Sequence, residues 1–73
     1  MQRSALRVIT LRRELAARYA RVSRLWITAR NAYHRLHERP VPNLSALRIA
    51  AARLEELTRG RAALQRDLKA LSD

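Results

Sequence analysis

The sequence predicts an all-α chain folded as an antiparallel two-helix hairpin. Three observations carry this. Two apolar series advance at alternating steps of three and four, a Pro-Val-Pro break separates them, and the 73 residues include only one Gly. Steps of three and four keep side chains on one stripe of an α-helix, in the a and d positions of a heptad.

The first series is Ala5, Val8, Leu15, Tyr19, Val22, Trp26, Ala29, Tyr33 and Leu36, broken only by Arg12. It predicts a long helix over residues 4–38. Pro40 ends it, because the residue before a proline is biased away from the helical region. A turn at 39–43 follows, and either Asn43 or Ser45 is suited to cap the next helix. The second series is Leu47, Ala50, Leu54, Leu57, Leu64, Leu68 and Leu71, interrupted only by Arg61. It predicts a helix over residues 44–71. Gly60 lies inside that stretch and costs about 1 kcal/mol relative to Ala. The heptad phase nevertheless runs from Leu57 through Arg61 to Leu64 without a slip. No capping residue follows Gly60, so the helix is expected to continue through it. So short a connection makes the two helices antiparallel neighbours within one domain, 1–73.

The first helix is apolar beyond its seam. Leu11, Leu25 and Ala32 flank one side; Leu6, Ile9, Ala16, Ala20 and Ile27 flank the other. One antiparallel neighbour cannot cover so wide a face, and a lone hairpin has little interior. A homodimer forming a four-helix bundle is therefore expected, with Leu6, Ile9, Leu25, Trp26 and Ile27 at the interface. A stable protein partner on the same surface is the alternative. If Leu36 opposes Leu47, facing residues have numbers summing to about 83. Arg12 then lies beside Leu71, within reach of Asp73 or the terminal carboxylate. Arg61 lies beside Val22 and within reach of the Tyr19 ring; the alternative is that Arg12 and Arg61 face water where the seam opens, with their long stems snorkelling.

Composition excludes several kinds of chemistry. Without Cys there is no disulfide, thiolate zinc site, iron–sulfur cluster or cysteine nucleophile. One Gly excludes a glycine-rich phosphate loop. No apolar run approaches the ~18 residues of a transmembrane helix, and a cytoplasmic location is expected. Neither a Ser/His/Asp grouping nor a facing carboxylate pair is evident, since Glu55 and Glu56 point apart. We expect no enzyme, no cofactor and no metal. His34 and His37, with Glu38, are too few ligands for a zinc centre; imidazoles there suit a helix C-terminus.

Charge is the informative surface property. The 16 Lys+Arg against 6 Asp+Glu give a net charge of +10. Residues 1–39 hold ten Arg against two acids, a net of +8; residues 40–73 hold six cations against four acids, a net of +2. Fifteen of the cations are Arg, which forks onto phosphate and carboxylate and stays charged when partly buried. Arg3, Arg7, Arg21, Arg24 and Arg35 fall on outward positions of the first helix. Thr10, Thr28 and Asn31 share that face, and Glu14 and Glu38 interrupt it. This row suits the phosphate backbone of a nucleic acid or an acidic protein surface, and no base-specific readout is expected. Tyr19, Trp26 and Tyr33 share one stripe and could stack on bases, but their a positions assign them to the core. The first 13 residues are acid-free, Arg-rich and amphipathic, as in transit peptides and membrane-surface helices. The heptad runs straight through them, so neither role is favoured.

The expectation is a small, basic, non-enzymatic regulator that binds nucleic acid or a nucleoprotein machine through an Arg-rich helix. The alternative is a protein-interaction module docking a helical partner. Small helical hairpins occur among plasmid RNA-binding regulators, phage-encoded modulators and secretion co-chaperones, and no motif selects among them.

Overall fold

A computed structural model describes the backbone of residues 2–72 and the side chains of residues 5–72. Two helices pack against each other as a hairpin: α1 spans Gln2–His37 and α2 spans Leu44–Ser72. The Cα trace measures 61 × 15 × 14 Å, a rod two helices wide.

Both helix ends at the turn have identifiable causes. The last backbone bond beyond α1 runs from the Glu38 N–H to the His34 carbonyl at 3.2 Å. Glu38 itself has left the helix, one residue short of the expected end, because Pro40 restricts Arg39 and the chain must already be turning. His34, Arg35 and His37 occupy the last turn of α1, where positive charge meets the helix dipole favourably. Asn43, rather than Ser45, caps α2. Its Oδ1 accepts the Ala46 N–H at 3.1 Å, and its carbonyl accepts the Leu47 N–H at 3.0 Å. The cap residue thus satisfies donors that the first turn leaves orphaned. The other bounds shift outward, to Gln2 for α1 and Ser72 for α2.

Helix α2 passes through Gly60 without a break. Gly60 does not adopt positive φ, as a C′ glycine ending a helix would. A Cβ placed on it meets nothing within 4 Å. Neither the backbone nor the neighbours within the hairpin require glycine there.

Hydrogen bonds fix the register. The Arg12 Nη2 donates to the Leu71 carbonyl at 2.8 Å, the Trp26 indole N–H to Thr58 Oγ1 at 2.8 Å, and Arg61 Nε to Ser23 Oγ at 3.0 Å. Facing residues therefore sum to about 83, as the seam pattern predicts. The interior is thin. Leu15 at 9% exposure and Ala29 at 8% are the buried hydrophobics among the described residues. Most other seam residues, including Tyr19, Trp26, Leu54, Leu57, Leu64 and Leu68, are half-buried. Among the described residues, no helix is long and apolar enough to cross a membrane.

Candidate nucleic-acid interface

The seam sets which way the Arg row points. Positions a and d of α1 face α2, so positions c and f face away from it. Arg7, Arg21 and Arg35 occupy c and Arg24 occupies f, and all four side chains are exposed. The Arg3 side chain lies outside the described residues. At 1.5 Å per residue, Arg21 and Arg24 stand about 4.5 Å apart along the axis, Arg35 about 16 Å further, and the whole row from Arg7 covers about 42 Å. A continuous helix holds that spacing.

Among the described residues, these guanidinium groups have neither an ion-pair nor a hydrogen-bond partner. Among the described residues the single ion pair is Arg59–Glu55, one turn apart on α2. Of the polar neighbours on the row, Thr28 spends its hydroxyl proton on its own helix, donating to the Arg24 carbonyl at 3.1 Å. Thr10 and Asn31 are exposed. Glu14 is exposed on the same face, and Glu38 stands in the turn beyond it.

The apolar candidates divide. Leu6, Ile9, Leu25 and Ile27 are exposed, Leu6 most of all at 63%. Trp26 is half-buried in the seam, with its N–H committed to Thr58. The Thr58 hydroxyl in turn donates to the Leu54 carbonyl at 2.7 Å.

Trp26 is the centre of a cluster that the seam pattern only partly indicates. The Arg30 and Arg61 guanidinium carbons lie 5.0 and 4.9 Å from its ring centroid, and Arg61 is also 5.4 Å from the Tyr19 centroid. These are cation–π distances. Arg30 is four residues after Trp26, the spacing at which helical neighbours meet, and that spacing is the signal which could have identified it. At the turn end, His37 stacks edge-on against Tyr33 at 4.5 Å and His34 at 6.0 Å. Among the described residues, no three metal-ligating side chains come together.

The two broad faces of the hairpin therefore differ. One is knitted by Arg30, Trp26, Arg61, Ser23 and Thr58. The other carries an open groove lined by Leu25, Thr28, Ala29, Ala32, Ala50 and Arg53. No known protein family, characterised protein or solved structure is detectably similar to this chain.

Proposed function

We propose that this chain is a small, non-enzymatic, cytoplasmic regulator that binds nucleic acid, or a nucleoprotein machine such as a polymerase complex, through the outward face of α1. One observation carries the reading: Arg7, Arg21, Arg24 and Arg35 are exposed along one side of a rigid helix, and none is in an ion pair among the described residues. Helix α1 presents its charge along a rigid rod, which suits a polymer of regularly spaced phosphates. Affinity then comes from counterion release and is indifferent to sequence. The +10 net charge also repels itself, and a polyanion relieves that repulsion.

Replacing Arg21, Arg24 and Arg35 together by Gln tests the reading. Gln keeps a helix propensity close to that of Arg. On duplex DNA the log–log salt slope should flatten by about two to three units, since each neutralised phosphate contributes about 0.9. Absence of salt-dependent binding by the wild type to duplex and single-stranded probes at about 50 mM salt overturns the reading.

We further propose that the chain acts as a homodimer forming a four-helix bundle. Its surface area of 6235 Å² supports this. A compact monomer of 8.5 kDa exposes about 4,700 Å². A second reading, a module that docks a helical protein partner, is favoured by the exposure of Leu6, Ile9, Leu25 and Ile27; it takes over if the chain neither binds nucleic acid nor self-associates.

A further inference from the structure

The two broad faces are not equivalent candidates for self-association. The Trp26 face exposes Leu6, Ile9 and Ile27 on its α1 flank, but its middle is closed by side chains bonded within the hairpin: Trp26 on Thr58, Arg61 on Ser23, and Arg30 on the indole ring. The Leu25 face leaves a groove floored by Ala29, Ala32 and Ala50, with Leu25 on its rim at 43% exposure. By heptad phase, Ile49 and Gly60 of α2 lie toward this same face. Ile49 is 72% exposed. Gly60 has open space where a Cβ would stand, although glycine in a helix interior costs about 1 kcal/mol. Open space over a bare backbone fits a close approach from outside the hairpin.

We propose that the Leu25 face is covered by a second copy of this chain, stacked so that α1 of each copy lies over α2 of the other. This rests on the homodimer reading above and goes beyond it in naming the face and the alignment. The excess surface is of the right size. It amounts to about 1,500 Å² per chain, and a stable interface needs about 800 Å² from each partner.

Charge sets the alignment. Stacking α1 on α1 would bring together two segments of net charge +8. Stacking α1 on α2 opposes that charge with the less basic segment: by heptad phase its Glu56 and Asp67 lie toward this face together with one cation, Arg53, which lines the groove. Neither acid is in an ion pair among the described residues. A two-fold axis along the rod produces this arrangement and makes every neighbouring pair of helices antiparallel.

Register then assigns the contacts. Residues at one level sum to about 83, so Gly60 stands at the level of residue 23 and Ile49 at the level of residue 34. In the stacked pair, Leu25 lies over the partner's Gly60. The partner's Ile49 enters the groove beside Ala32. The partner's Asp67, at the level of residue 16, comes beside Arg18. The symmetry repeats each contact.

Sedimentation of the full chain tests this with three variants. The wild type should sediment as a dimer. Leu25→Glu should weaken self-association at least 100-fold. Ile27→Glu, on the opposite flank of α1, should leave it unchanged. Gly60→Gln raises helix propensity while placing a side chain in the path of Leu25, so it should give a stable hairpin that dimerises at least 10-fold more weakly. If Leu25→Glu loses its helical circular dichroism, Gly60→Gln decides alone. A monomeric wild type overturns the homodimer itself. A wild-type dimer that survives Gly60→Gln, or that Ile27→Glu dissociates, overturns only the choice of face. Nucleic-acid binding by the wild type is measured separately, so failure of the dimer and failure of the nucleic-acid reading are told apart.

Discussion

Replacing Arg61 by Met removes a charge from the middle of the α2 seam while keeping most of the side-chain stem. A charged residue in an apolar seam usually invites the opposite expectation, because a hydrophobic replacement often stabilises. Here the guanidinium is half-buried and engaged on three sides: Tyr19 at 5.4 Å, Trp26 at 4.9 Å, and Ser23 through an Nε bond of 3.0 Å. Two cation–π contacts at a partly exposed site contribute about 0.5 kcal/mol each. The hydrogen bond contributes about 1 kcal/mol more. Met returns part of this through its own burial, leaving a net loss of about 1–1.5 kcal/mol. For a chain of this size, Tm should fall by about 5–10 °C. The assay is thermal unfolding by circular dichroism at matched protein concentration, because association also shifts Tm. A cycle with Tyr19→Leu isolates the ring contact, and a coupling of about 0.5 kcal/mol is expected. Arg61→Met being as stable as the wild type, or more so, refutes this reasoning. The side chain would then be lying across the seam with its head in water and contributing nothing by its contacts.

Two further perturbations probe the ends of the helices. Asn43→Ala removes the acceptor of the Ala46 N–H and should cost about 1 kcal/mol; chemical denaturation reads it, and Asn43→Asp should retain most of the wild-type stability. Arg12→Gln removes a cation from the C-terminal carbonyls of α2 and should cost about 0.5–1 kcal/mol at low salt, seen as faster amide exchange in the last turn of α2 and a smaller difference from wild type at high salt.

The hairpin was legible in the sequence because its causes are local and periodic. Heptad phase gave the facing sides, Pro40 gave the stop, and unbroken phase through Gly60 gave a continuous α2. From the register alone, Arg12 falls beside Leu71 and Arg61 against Tyr19, and both contacts are present. What periodicity cannot supply is side-chain choice. Among the described residues, Arg12 finds the Leu71 carbonyl; the expected partners Asp73 and the terminal carboxylate lie outside them. Arg61 reaches past Tyr19 to Trp26 and Ser23. Thr58 lies outside the apolar series, yet it relays a hydrogen bond from the Trp26 indole to the Leu54 carbonyl. A threonine at the edge of a seam has several acceptors in range, and only the rotamer decides among them. The Arg row was legible for a simpler reason: exposed charge on a helix follows from phase alone. Which polyanion or protein meets it depends on a partner that the phase of one chain does not encode.

The register has a mechanical consequence. The bonds that cross the hairpin join residues 32, 38 and 59 positions apart. Closing a loop costs more as it lengthens, by about 0.6 kcal/mol per doubling. Formed outward from the Asn43 cap, each contact shortens the loop that the next must close, so most of the closure cost is met near the turn. Folding can then run as a zipper, with the Trp26–Thr58 bond early and the Arg12–Leu71 bond last, in the fast regime of low contact order. Tension applied across the Arg12–Leu71 end would peel the same contacts in reverse, one level at a time. Tension along the rod would instead load all of them together in shear, so the hairpin should be weak in one direction of pull and strong in the other.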